Sequence, residues 1–215
     1  MKNRKYAEKY YKYFSKAEGN QHIANLFAIE KILDIVEFNK PKRILEVGLG
    51  IGSISYSIID YLKEKKLSFE YYGTEANEFC LNELPKNLQN NYSSIKLFSN
   101  IEEIKTEEKF DLIIVDGSDI SIEKIYNLIT NNGTIFIEGD RKNQLTILLK
   151  LFPKFKFVHT ISNYKEPDYG PFTTENWSGG GKLIYINPTL RQKINWLNEK
   201  IISSYRNRII RKIYS

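Results

Sequence analysis

The sequence predicts an α/β domain: a seven-stranded, mostly parallel sheet with an antiparallel last strand and helices on both faces. Three observations predict it. From residue 43 onward, short β-branched runs alternate with amphipathic stretches, the pattern of strands joined by crossover helices. The first run passes straight into three alternating glycines, Gly48, Gly50 and Gly52. The last two runs are joined by a segment rich in Pro, Gly and aromatics in place of a helix, so the final strand is expected to pair antiparallel.

The predicted strands cover residues 43–48, 69–75, 94–99, 110–117, 133–139, 155–162 and 182–187. Helical spacing links the first five, as in Ile54, Ile58, Ile59 and Leu62, and again in Ile122, Ile125, Leu128 and Ile129. Ahead of the sheet, Tyr6, Tyr10, Tyr13 and Phe14 share one helical face. After it, Asn187-Pro188 suits a helix start, followed by Ile194, Leu197, Ile201 and Tyr205 on one face. The expected organisation is a helical lid or cap over residues 1–40, a sheet domain over 41–187 containing a substrate loop at 163–181, and a basic C-terminal helix over 188–215.

Composition bounds the function. The chain has 215 residues, 41% of them hydrophobic, as expected of one globular domain with a full core. Cys80 is the single cysteine, which rules out an intramolecular disulfide and fits a reduced compartment, with Cys80 itself a buried filler. No stretch approaches a membrane span and the start lacks the apolar core of a signal peptide, so a cytoplasmic location is expected. The net charge of +6 resides in the ends. Residues 188–215 carry seven basic groups and one acid, residues 1–16 six and one, and the body between them 19 basic against 24 acidic groups. A mildly acidic body between basic ends is not a nucleic-acid groove.

The chemistry concentrates at the carboxyl ends of the strands. In the segment from Lys40 to Ser53 a buried strand runs through three glycines into a helix, a turn that lets a ligand approach the backbone. Glu46, two residues before the first glycine, would repel a pyrophosphate and attract a cationic amino-acid head group. Ser53 stands where the dinucleotide fingerprint wants Gly or Ala, which also points away from NAD. Glu75 ends the second strand, placed for the two hydroxyls of a ribose. The third strand ends in Ser99-Asn100-Ile101, with a polar side chain for an adenine amino group, and the fourth in Asp116-Gly117-Ser118.

Through Glu46-x-Gly48-x-Gly50-x-Gly52, Glu75, Asp116 after FDLIIV, and the GTIFIEGDR segment, the chain resembles the class I S-adenosylmethionine-dependent methyltransferases, with a Rossmann-like sheet. The lead-in from Lys40 looks most like their small-molecule O-methyltransferase branch. The resemblance implies S-adenosylmethionine as cofactor, with Glu46 on the methionine amino group, Glu75 on the ribose and Asn100 near the adenine. The expected cofactor contacts are Glu46, Gly48, Gly50, Gly52, Ser53, Glu75, Ala76, Asn100, Ile101 and Asp116. It further implies a small-molecule acceptor, such as a sugar, a nucleotide-linked sugar or a phenol.

A hydroxyl acceptor needs a base or a metal. In catechol-type relatives a cation is held by acids after the fourth and fifth strands. Asp116, Glu138 and Asp140 offer an all-oxygen Mg2+ set here, although such acids also serve as solvated caps or cofactor contacts. The candidate catalytic residues are Asp116, Asp140, Arg141, His22 and His159. The two histidines titrate near neutrality, although His159 falls inside a strand and His22 suits a helix cap or lid. Arg141 suits an acidic acceptor or a surface salt bridge. Tyr164, Lys165, Tyr169, Phe172, Trp177 and Gly179 to Gly181 suit a substrate wall. The basic tail suits a solvated face, a homodimer contact through the terminal helices or an anionic membrane anchor, the first two preferred. Competing functions are an RNA methyltransferase or RNA-binding protein that stacks bases on the Tyr-rich start, and an aminopropyltransferase with Asp119 as its extra acid.

Overall fold

The computed structural model describes residues 3–105 and 107–213. Two helices precede the sheet, α1 (Arg4–Phe14) and α2 (Leu26–Asn39). The strands are β1 (Arg43–Val47), β2 (Glu70–Thr74), β3 (Ile95–Phe98), β4 (Phe110–Val115), β5 (Ile129–Glu138), β6 (Phe155–His159) and β7 (Gly181–Ile186). Helix α3 (Ser53–Glu64) follows β1, α4 (Glu78–Leu88) follows β2, α5 (Ile125–Leu128) precedes β5, α6 (Lys142–Leu151) follows it, and α7 (Leu190–Tyr205) follows β7. The order across the sheet is β3-β2-β1-β4-β5-β7-β6, with β7 antiparallel to both neighbours. The seven strands and the antiparallel last one are those the sequence predicts.

The ends of the helices follow from side chains that satisfy free backbone donors. Asn25 Oδ1 accepts from Ala28 N at 2.9 Å to open α2, and Asn77 Oδ1 accepts from Cys80 N at 3.1 Å to open α4. Thr189 and Gln192 form a reciprocal capping box at the start of α7, so the cap is Thr189 and Pro188 lies just outside it.

Alternation along the strands separates two cores. Ile44, Tyr71, Ile114, Phe136 and Tyr185 pack with α1, α2, α3 and α4. Leu45, Val47, Ile113, Val115 and Ile137 pack on the opposite face with α5 and α6. Ala7, Tyr10, Tyr11 and Phe14 of α1 are fully buried and belong to the first core.

Two connections differ from the sequence reading. Between β3 and β4 there is a single 3-10 turn, Ile101–Glu103, and the helix expected over 122–129 is a 3-10 turn plus the four residues of α5. The reason is the early start of β5. Ile129 already pairs with Phe110, and the register then shifts so that Leu112 faces Thr134. Ile129 satisfies helical and strand spacing alike, and its pairing with β4 decided between them.

Phe136 is fully buried at the centre of β5. Phe136→Ala is expected to destabilise the fold by about 3–5 kcal/mol in a urea denaturation series, through lost burial and the cavity left behind.

Candidate active site

The carboxyl ends of β1 and β4 touch. Val47 O accepts hydrogen bonds from Asp116 N at 2.9 Å and Gly117 N at 2.7 Å. Gly48, at φ +86°, approaches so closely that a Cβ on it would lie 2.4 Å from Gly117 Cα. At Gly50, φ +54°, a Cβ would meet the His22 carbonyl at 2.6 Å. Both glycines are therefore required by backbone contact. Gly52 instead packs under Leu84 and Leu88, inside the fold.

Next to this turn lies a cleft of about 530 Å3, within the usual range for small-ligand sites. Gly48, Gly50, Glu75, Asp116, Glu138 and Arg141 line it. The segment before α2 adds His22 and Asn25, and the loop between β6 and β7 adds Glu166, Phe172 and Trp177. The Glu75 carboxylate accepts from Gly50 N at 2.7 Å, Ala76 N at 2.9 Å and Asn77 N at 2.8 Å. These bonds hold it at the lip of the glycine turn, where it still has acceptor capacity for paired hydroxyls.

Asp116, Glu138 and Arg141 act as one unit. An Arg141 Nη2 donates to Asp116 Oδ1 at 3.0 Å and to the Asp116 carbonyl. Asn25 Nδ2 donates to Glu138 Oε1 at 2.9 Å. Burial, reinforced by the adjacent Asp116 charge, holds the Glu138 pKa well above its ordinary value. Burial also raises Asp116, but the guanidinium opposes that shift. Both carboxyl groups are thus shifted upward, Glu138 by burial and the adjacent Asp116, and Asp116 by burial against the opposing pull of Arg141. Glu166 is buried too, which raises its pKa against the hydrogen bonds it receives from Ser178 and Gly179.

Several expectations require correction. Glu46 is fully buried and does not line the cleft; Tyr71 Oη donates to its Oε2 at 2.5 Å and its Oε1 has no partner. Desolvation lifts its pKa well above the ordinary value, against the hydrogen bond from Tyr71. Ser53 accepts from Ala24 N at 3.1 Å and ties α3 to the segment before α2. Ala76 contributes only its N–H to Glu75. Asn100 caps the 3-10 turn through Glu102 N, and Ile101 is buried in the second core. Asp119 accepts from Ile101 N at 3.0 Å and Ser121 N at 2.7 Å and is not among the residues lining the cleft.

His159 is exposed near the edge of the sheet, outside the cleft, with its pKa lowered by burial and by Lys182. Asp140 is exposed and ion-paired with Lys142 at 3.4 Å and Lys182 at 3.5 Å. It therefore does not join Asp116 and Glu138. Among the described residues no group of three His, Cys, Asp or Glu side chains is placed to hold a metal. Arg141 already neutralises Asp116, and that donor set does not fit Mg2+.

Asn25, Asn176 and Glu166 line the cleft without having been singled out in the sequence. The visible signal for Asn25 was its position as a helix cap. Cys80 is buried as expected and also reaches the cleft, its pKa pushed up to about 11 by burial.

The glycine edges, the Glu75 acceptor and the Asp116 carboxyl group fit a ligand that combines ribose hydroxyls with positive charge. These features fit S-adenosylmethionine.

Neither a family model nor a curated protein matches the chain. Solved structures do. An O-methyltransferase from Bacillus cereus in complex with S-adenosylhomocysteine has a TM-score of 0.60 and 13% identity, covering 85% of this chain and 91% of that one. A precorrin-6y C5,15-methyltransferase from Geobacter metallireducens has a TM-score of 0.58 and 14% identity over 80% and 94%. A tRNA methyltransferase from Aquifex aeolicus has a TM-score of 0.57 and 17% identity over 82% and 75%.

Glu138 folds with a pKa above its ordinary 4.5, so the folded chain keeps a proton that the unfolded chain releases. Its contribution is full below that value and declines as pH rises towards the folded pKa; Glu46, Asp116 and Glu166 share the sign. The melting temperature is expected to fall as pH rises above the ordinary carboxyl value, and Glu138→Gln, which is neutral at every pH, is expected to flatten that fall. An identical slope in the variant would remove Glu138 as the proton holder.

By its strand order, its antiparallel last strand and these structural likenesses, the chain has the fold of the class I S-adenosylmethionine-dependent methyltransferases.

Proposed function

We propose that the chain is an S-adenosylmethionine-dependent methyltransferase that methylates an oxygen of a small acceptor, such as a sugar, a nucleotide-linked sugar or a phenol. The observation that carries this reading is Glu75, held by Gly50 N, Ala76 N and Asn77 N at the lip of the glycine turn, in a fold of this class. When bound, the cofactor supplies an electrophilic methyl group on a positively charged sulfur. Glu75 holds ribose hydroxyls, and the backbone of Gly48 and Gly50 admits the ligand against the turn.

The acceptor end is supported by the remaining walls. Phe172 and Trp177 offer flat apolar surface for a sugar or an aromatic ring, and Asn25 and Asn176 offer amides for its hydroxyls. Glu138, raised by burial and the Asp116 charge, and Asp116, whose upward shift Arg141 opposes, form an asymmetric carboxyl pair. Two carboxyl groups pushed apart in this way serve as proton acceptor and proton store. Arg141 keeps Asp116 charged, so the acceptor hydroxyl can lose its proton without a metal. Among the described residues lining the cleft Arg141 is the single Lys or Arg, against Glu75, Asp116, Glu138 and Glu166. That balance disfavours a polyanionic RNA substrate. No helix among the described residues is long and apolar enough to cross a membrane.

Calorimetric titration with S-adenosylmethionine and S-adenosylhomocysteine tests the cofactor. Binding is expected, and Glu75→Ala is expected to weaken it at least about tenfold while the circular dichroism spectrum is retained. Unchanged affinity would overturn the ribose assignment. With an acceptor in hand, Asp116→Asn is expected to lower kcat by about 10²–10⁴-fold, and excess chelator to leave wild-type turnover unchanged. Loss of activity on chelation would restore the metal reading.

A further inference from the structure

Helix α7 carries its apolar side chains on the wrong face for a solvated helix. Its inward face is anchored by polar contacts. Trp196 Nε1 donates to Phe157 O at 2.8 Å, Asn195 Nδ2 to Tyr185 Oη at 2.7 Å, and Glu199 pairs with Lys31 at 2.9 Å. Gln192 and Ser203 are buried on the same side. Leu190, Ile194, Leu197, Ile201 and Tyr205 recur at helical spacing on the opposite side, with Leu190 75% and Ile201 60% exposed. The stripe continues past α7 through Ile209 and Ile213, the latter 66% exposed. At about 1.5 Å per residue it runs for about 35 Å. An apolar stripe of this length costs free energy in water unless something covers it.

Charge indicates what covers it. Lys193, Lys200, Arg208 and Lys212 are exposed along the same segment. Its one acid among the described residues, Glu199, is turned inward and engaged by Lys31. A second copy of the chain would bring the same cations against each other. A surface that is apolar beneath and negatively charged at its boundary would satisfy both features. We propose that the outward face of α7 and the helical turns after it dock on an anionic lipid membrane, lying in the plane of the interface with the apolar stripe among the acyl chains.

The segment is held in a fixed place for this. Arg206 Nη1 donates to Ile161 O at 2.9 Å, and Arg211 Nη2 to Ser162 Oγ at 3.3 Å, at the root of the loop that walls the cleft. Docking would therefore bring that loop to the lipid surface.

The full chain would be sedimented with vesicles of phosphatidylcholine alone and of phosphatidylcholine mixed with phosphatidylglycerol. Binding is expected to the anionic vesicles only, and to weaken as salt is raised. Lys193→Gln and Arg208→Gln are each expected to reduce it about fivefold, the worth of one cation at such a surface. Leu197→Ser combined with Ile201→Ser is expected to abolish it. These side chains are exposed, so an unchanged melting temperature would show that the variant still folds; the two charge variants read the same surface independently. Absence of wild-type binding, or equal binding to neutral vesicles, would overturn the proposal. So would a dimer in sedimentation velocity that the Leu197 and Ile201 substitutions dissociate, in a chain that leaves vesicles in the supernatant.

Discussion

The contact between Gly48 and Gly117 is the constraint on which the rest of the site depends. It exists because Val47 O takes two hydrogen bonds from the end of β4, drawing that backbone against the first residue after β1. A side chain at either position would collide with main chain, which cannot move aside as a flexible side chain can. The contact sets Asp116 beside the glycine turn, and the turn in turn presents Gly50 N to Glu75. Three strand ends are thus locked together by hydrogen bonds and close backbone contact.

Acidity is the second organising feature. Glu46, Glu138 and Glu166 are all held where water cannot fully solvate a carboxylate, and each is pushed towards its neutral form. Buried ionisable groups of this kind are costly to a fold and are tolerated where they serve a site. Arg141 opposes that shift in both Asp116 and Glu138, and it bonds directly to Asp116.

Elements outside the parallel sheet complete the cleft. Asn25 opens α2 with its oxygen and reaches Glu138 with its nitrogen, so one side chain couples the N-terminal helices to the acidic centre. The loop between β6 and β7 is held in turn by Ser162 and Ser178, and by Tyr164 donating to Glu30 of α2. A sheet fold does not fix the chemistry of the site, which these surrounding segments shape.

The sequence by itself determined the sheet and its antiparallel last strand. β-branched runs and alternating glycines are local signals, and each is dictated by backbone geometry within a few residues of itself. It did not determine the surroundings of Glu46, Ser53, Asn100, Ile101, Asp140 and His159, because strand position does not say which way a side chain is satisfied. Glu46 found Tyr71, Ser53 found Ala24, Asn100 capped its own turn and Asp140 paired with lysines. Only the tertiary structure could pair Asp116 with Glu138 and Arg141, join Asn25 to them across more than a hundred residues, and turn the apolar side of α7 outward. Those outcomes depend on which distant groups compete for the same hydrogen bonds and burial, and periodicity along one chain segment carries no information about a competitor that lies elsewhere.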